Sequence, residues 1–339
     1  MRRVRVLVVD DSAFARTVLA RELRRDQRIE VVGTARDGAD ALERIETLDP
    51  DVVTLDLTMP HVDGLGVLRA LRGRPRPRVI VVSISSIDTE LGADALTLGA
   101  IDLVAKPTAL ANERLEEIAT ALIAKTLAAG EVFAREAPLP PAPEVPIAPA
   151  RTGCELVMIG TSTGGPQALT RVLSELPADL PAPVAMVLHI PADYTAGIAE
   201  RLDRVSPLRV VEARDKMVLE PGLAILARGG MHLRVKRRGG QLIAEVSIHP
   251  PTQFVPSVDE LFTSGARAVG RTALGVVLTG MGNDGLAGAR LIAAEGGSLL
   301  TESAATSIVY GMPRTVYEAG LGASSVSLDR IAAEIARRV

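Results

Sequence analysis

The sequence predicts two doubly wound α/β domains in tandem. Three observations carry that reading. Short, wholly apolar runs alternate with helical stretches along most of the chain. A proline-rich segment interrupts the alternation near the middle. The 339 residues and 47% hydrophobic content suffice for two separate cores. Strands apolar on both faces and joined by helices mean a parallel sheet covered on both sides. Such sheets bind ligands beyond the carboxyl ends of their strands.

In the first half the strand runs are "VRVLVVD" (4–10), "IEVVGTA" (29–35), "DVVTLDL" (51–57), "RVIVVSIS" (78–85) and "IDLVAKP" (101–107). Five βα units of this kind make one parallel sheet. Residues 111–136 are Ala- and Glu-rich and read as helix. "PLPPAPEVPIAPA", 138–150, then holds six prolines among thirteen residues, so it is neither helix interior nor central strand. Fully extended at ~3.1 Å per residue, it would span on the order of 40 Å. The predicted division is 1–125, a helical end and linker over 126–150, and 151–339. The alternation resumes with "CELVMIG" (154–160), "VAMVLHI" (184–190), "ALGVVLTG" (273–280) and "GSLLTES" (297–303). Between 205 and 250, "LRVVEA", "GLAILAR", "MHLRV" and "LIAEVSI" are short runs with Gly-rich turns. They predict antiparallel strands extending a three-layer, mostly parallel second sheet.

Composition excludes several function classes. The aromatic share is 2% with no Trp, and net charge is −3 with a pI near 5.9. A base-stacking platform and an electrostatic nucleic-acid surface are both unsupported. The single cysteine, Cys154, rules out an internal disulfide framework and reads as a small core residue. The apolar run in "MRRVRVLVVDD" is too short for a signal peptide, and no run reaches the ~20 residues of a membrane span. A soluble, cytoplasmic protein is expected.

The first domain places chemistry at its strand ends. Asp10 and Asp11 end the first strand, Asp56 the third and Ser85 the fourth, and Lys106 ends the fifth. A single such aspartate is most often a helix cap. Together, three carboxylates invite a hard divalent cation such as Mg²⁺, and the lysine and hydroxyl suit a phosphoryl oxygen. The predicted chemistry is an aspartate that accepts phosphate with Mg²⁺ help. "VLVVDDS", "DVVTLDLTMPHVDGL", "SIS" and "LGAIDLVAKP" resemble the receiver domain of two-component response regulators. The resemblance implies a flavodoxin-like five-stranded fold and phosphorylation of Asp56 by a histidine kinase. It implies Mg²⁺ held by Asp11, Asp56 and the Thr58 carbonyl with Asp10 helping through water, Lys106 on the phosphoryl group, and a hydroxyl sensing it, Ser85 ahead of its neighbours Ser83 and Ser86. Receivers often carry an aromatic residue three positions before that lysine, where this chain has Leu103.

In the second domain "GTSTGGP", 160–166, lies between a strand and a helix. Such a turn can present a serine as nucleophile, as in G-x-S-x-G, or cradle a phosphate at the helix N-terminus. A nucleophilic Ser162 needs a base. Of the four histidines, His61 falls in the first domain, His232 starts a short strand and His249 precedes two prolines. His189 ends the strand that follows the Ser162 helix, and consecutive βαβ strands often neighbour each other. It is the strongest base candidate. Asp284, in the glycine-rich turn "TGMGNDGLAG", can orient it, although alone it would equally be an N-cap. The order Ser, His, Asp differs from the Ser, Asp, His of α/β-hydrolases.

"IGTSTGGPQAL", "HIPADYT", "PPTQFVPSVDELF", "LTGMGNDGLAG" and "SIVYGMP" resemble the catalytic domain of the chemotaxis protein-glutamate methylesterases, the CheB family. With the receiver in front, the resemblance covers nearly the whole chain. It implies hydrolysis of glutamate methyl esters on chemoreceptors by Ser162, His189 and Asp284. Thr163 and the Met281 amide would support the oxyanion, and many members also deamidate receptor glutamine. It further implies that the unphosphorylated receiver covers the serine and that phosphorylation, adding ≈ −1.5 to −2 charge, releases it. Two rivals stand beside this: a receiver driving a non-enzymatic binding module, and a serine esterase or amidase for small molecules.

Overall fold

The structure is a computed structural model. It describes residues 2–74, 76–83, 89–106, 112–134 and 153–339; Ser85 and the proline-rich stretch 138–150 lie outside them. The chain divides into two compact units, Met1–Pro138 and Leu139–Val339.

The first unit has strands β1 (Val4–Val9), β2 (Ile29–Ala35), β3 (Val52–Leu55), β4 (Arg78–Ser83) and β5 (Asp102–Ala105). All pair in parallel, in the order β2-β1-β3-β4-β5. This is the flavodoxin-like order, with its switch point between β1 and β3. Asp10 follows β1 and Asp56 follows β3, so both reach that crevice. Three helices begin on side-chain caps: Ser12 accepts from the Ala15 N–H, Asp37 from Asp40 and Asp63 from Gly66. Ser12, not Asp11, therefore caps the first helix, and the Asp11 carboxylate is left for other chemistry.

The second unit holds β6 (Leu156–Thr161), β7 (Val184–Leu188), β8 (Arg209–Glu212), β9 (Val218–Leu219), β10 (Leu223–Leu226), β11 (His232–Arg238), β12 (Gln241–Ser247), β13 (Ala273–Val277), β14 (Ser298–Glu302) and β15 (Ser324–Val326). Seven strands form one parallel sheet in the order β15-β14-β13-β6-β7-β10-β8. β6 is flanked by β7 on one side and by β13 on the other. The order thus reverses at β6, which opens a crevice at its carboxyl end.

Two of the four short runs between 205 and 250 behave differently from the antiparallel expectation. "LRVVEA" and "GLAILAR" become β8 and β10 and join the parallel sheet. Residues 213–222, which join them, hold β9 and no helix, so no crossover helix marks their parallel pairing. The antiparallel strands are β11, β12 and β9, and they form a three-stranded sheet of their own. The helix Val258–Val269 packs against both β6 and β11, so its apolar side joins the two sheets. Val258, Leu261 and Phe262 on it are wholly buried. Cys154 lies before β6 rather than in it and is only half-buried. Burial nevertheless pushes its thiol up to about 12, which leaves it unreactive.

Candidate functional site

Ser162 is the first residue beyond β6, the strand at the switch point. Its N–H donates to the Thr279 carbonyl at 3.1 Å, and the Thr161 hydroxyl donates to the same oxygen at 2.7 Å. The turn then closes by a 2.7 Å bond from the Gly165 N–H to the Ser162 carbonyl. Gly164 makes this possible. It sits at φ 82° and opens the helix Gly165–Glu175. A Cβ there would also meet Ile308 at 2.8 Å, so the position excludes side chains twice over.

His189 comes to Ser162 through strand register. Thr161 pairs with Leu188, and the His189 N–H donates to the Thr161 carbonyl at 3.1 Å. Ser162 and His189 are thus the next residues along two adjacent strands. The His189 Nε2 lies 2.8 Å from Asp284 Oδ2, while Nδ1 is buried without a hydrogen-bond partner. An ionised carboxylate accepts only, so the proton sits on Nε2 and the Nδ1 lone pair is available as a base. No hydrogen bond joins the Ser162 hydroxyl to that ring among the described residues; such bonds often tighten only with substrate bound.

Asp284 is almost fully buried, and its helix-capping role is taken by another residue. Gly285 occupies the N-cap of the helix Leu286–Ala294, and the Asp259 carboxylate accepts the Gly288 N–H at 2.7 Å. Asp284 instead faces the N-terminus of the helix Val258–Val269. Its oxygens accept the Val258 N–H at 2.7 Å, the Asp259 N–H at 2.9 Å and the Ser257 hydroxyl at 2.9 Å. Burial opposes its charge, but His189 and these helix-terminal N–H groups outweigh burial and hold the carboxyl below its usual range. The helix dipole favours the same form.

The "TGMGNDGL" turn lies against the serine. A Cβ on Gly280 would sit 2.9 Å from the Ser162 Cβ, so only glycine lets this backbone approach. Met281 follows directly, and Thr163 is buried with its carbonyl accepting from the Thr279 hydroxyl at 2.9 Å. Beneath the turn is a buried acid, Glu302, whose Oε2 accepts the Thr279 N–H at 2.8 Å. Burial pushes its carboxyl up to about 7 against that hydrogen bond.

In the first unit Asp10, Asp11 and Asp56 present carboxylate oxygens that all lie within 4.8 Å of one another. Lys106 Nζ is 2.7 Å from both Asp10 and Asp56. Burial raises the Asp56 carboxyl, with the nearby Asp10 charge adding to it and Lys106 opposing it. Burial also works against the Lys106 charge, but its two carboxylate partners prevail and hold it above the ordinary lysine range. The donor set is oxygen only, which suits a hard cation that keeps part of its water shell, such as Mg²⁺. Ser83 ends β4, and its carbonyl accepts the Lys106 N–H at 2.7 Å.

Four residues around the His189–Asp284 pair carry no role in the motif reading. They are Phe254, Ser257, Asp259 and His232. The Phe254 ring stacks on His189 with centroids 4.6 Å apart and planes at 6°. Ser257 and Glu260 form the S-x-x-E pattern that opens a helix, and the Ser257 hydroxyl indeed accepts from the Glu260 N–H at 3.4 Å. That pattern marks a helix start, and a helix start is an anion site; the two together could have pointed to Asp284's partner. Nothing in the sequence marks Phe254, because its stack joins residues 65 positions apart.

The CheB methylesterase family profile matches residues 157–335, and the response regulator receiver domain profile matches 6–119. A protein-glutamate methylesterase/protein-glutamine glutaminase of Myxococcus xanthus is 54% identical over 341 residues, covering 99% of this chain and 98% of that one. A protein of the same name from Geobacillus kaustophilus is 43% identical over 347 residues, covering 100% of this chain and 99% of that one. The crystal structure of the Thermotoga maritima CheB methylesterase catalytic domain covers 56% of this chain and 100% of that one, at 34% identity and a TM-score of 0.54.

Proposed function

Since the chain belongs to the CheB methylesterase family, in the form that carries a receiver domain, we propose that it hydrolyses glutamate methyl esters on chemoreceptors and deamidates receptor glutamine. The observation that carries this reading is the 2.8 Å contact of His189 Nε2 with Asp284, which leaves Nδ1 unpartnered one strand away from Ser162.

In this reading Ser162 Oγ attacks the ester carbonyl carbon and gives its proton to His189 Nδ1. Asp284 holds the ring by Nε2 and stabilises the imidazolium. The Met281 N–H and Thr163 stabilise the oxyanion. Collapse breaks the C–O bond, and the proton on Nδ1 leaves with methanol. Water then enters, gives a proton to Nδ1 and releases the glutamate and the Ser162 hydroxyl. With a glutamine substrate the leaving group is ammonia.

Residues 1–125 act as the receiver, 126–150 as helical end and linker, and 151–339 as the esterase. A histidine kinase is the phosphodonor, and Asp56 is the acceptor. Asp10, Asp11 and Asp56, with the Thr58 carbonyl, would hold Mg²⁺, which supplies charge neutralisation between the carboxylates and the phosphoryl oxygens. Lys106 contacts the phosphoryl group, Ser85 senses it, and phosphorylation raises esterase activity. No helix among the described residues is long and apolar enough to cross a membrane, and a cytoplasmic site of action fits both partners. The test is methanol release from methylated receptor membranes, with and without acetyl phosphate. Activity that survives in Ser162→Ala would remove the reading.

A further inference from the structure

His232 is wholly buried at the start of β11. Its Nε2 lies 2.8 Å from the Pro250 carbonyl, and its Nδ1 lies 3.2 Å from the Ser257 nitrogen. A backbone N–H can only donate, so Nδ1 accepts from Ser257. Nε2 therefore carries the proton and donates to Pro250. One neutral imidazole thus ties together the two ends of the segment 250–257.

That segment touches both partners of the catalytic pair. Phe254, in its middle, stacks face to face on His189. Ser257, at its end, donates its hydroxyl to Asp284 Oδ1 at 2.9 Å, and the next two residues donate their N–H groups to the same carboxylate. The ring of His189 is thereby held on one edge by Asp284 and on one face by Phe254. Both holds descend from a segment closed by His232. A histidine that merely filled a core would need neither bond placed this way.

We propose that His232 is a positioning residue for the His189–Asp284 pair: by closing the segment 250–257 it fixes Phe254 on the His189 ring and Ser257 on Asp284. This rests on the Ser162 reading above. His232 makes no contact with substrate, so its loss falls on kcat rather than on KM.

The test is a double-mutant cycle in the full chain, with Ser162→Ala as the control for the site itself. His232→Ala lowers kcat on the order of 10²-fold, the size of effect that follows from misplacing a reacting group by about 1 Å, and leaves KM within about twofold. Phe254→Ala lowers kcat as well. The double variant is no slower than His232→Ala alone, within about twofold, because both act through one segment. His232→Asn keeps an acceptor for the Ser257 N–H, and His232→Gln keeps a donor for Pro250. Each loses less than His232→Ala, and the same cycle can be run on either if His232→Ala does not fold. Unchanged kcat, losses that multiply in the double variant, or a loss that falls wholly in KM would overturn the proposal. If Ser162→Ala keeps full activity, the site reading fails instead.

Discussion

Glu302 lies under the serine turn with its carboxyl pushed up to about 7 from 4.5. The folded protein therefore binds this proton more tightly than the unfolded chain does. Stability is fully present below the unfolded value, near pH 4.5, and is lost as pH rises through the folded value, near 7. Between 4.5 and about 7, at roughly 1.4 kcal/mol per tenfold change in proton affinity, the loss comes to roughly 3–4 kcal/mol. Glu302→Gln removes the titration and keeps an acceptor for the Thr279 N–H. Any cost of pairing the new amide is independent of pH, so the informative quantity is the change in the difference between variant and parent. Between pH 5 and 8 that difference should move by roughly 2–3 kcal/mol in favour of the variant. In a calorimetric scan, at roughly 2–4 °C per kcal/mol for a domain of this size, this is a relative gain of roughly 4–12 °C in the transition of the second unit. If parent and variant keep the same pH slope, the carboxyl titrates alike in both states and the reasoning fails.

Four further outcomes follow. Ser162→Ala should lower kcat for methanol release on the order of 10⁴–10⁶-fold, measured on methylated receptor membranes, with the fold unchanged by circular dichroism. Asp284→Asn should cost on the order of 10⁴-fold, because the amide no longer favours the proton on His189 Nε2; a smaller loss would mean that the ring is oriented otherwise. Asp56→Asn should abolish labelling by acetyl phosphate and any rise in esterase rate that accompanies it, while basal hydrolysis persists. Removal of divalent cations with EDTA should stop the labelling of Asp56 and leave basal ester hydrolysis unchanged; loss of both would place a metal in the ester chemistry.

Strand-by-strand, the sequence was most readable where it was most apolar. β1, β3, β4 and β5 of the first unit and β6, β7, β13 and β14 of the second are buried along nearly their whole length, so each reads as a near-continuous apolar run, whereas β2, at the sheet edge, is half-buried with Glu30 exposed. β8 and β10 carry charged or half-exposed residues at their ends, a pattern that predicts antiparallel strands. The parallel pairing of β10 with β7, and of β8 with β10, is a long-range choice that no local pattern records. In the site, residues at strand ends were found because a parallel sheet gathers those ends on one edge. No strand-end position marks Phe254, Ser257 and His232, because they come from a connecting segment and from the three-stranded sheet. Glu302 is different: it ends β14 of the parallel sheet and is wholly buried, where a carboxylate is least expected.

The carboxylate that steadies His189 is gripped mainly by main-chain N–H groups at the start of the helix Val258–Val269. Side-chain replacement cannot remove those donors, but fraying of the first helical turn can. On the proposed mechanism, the support of His189 by Asp284 is therefore coupled to the opening of that turn. Amide hydrogen exchange at Val258 and Asp259 reads that opening directly. It offers a view of how often the enzyme is competent at rest, independent of any substrate.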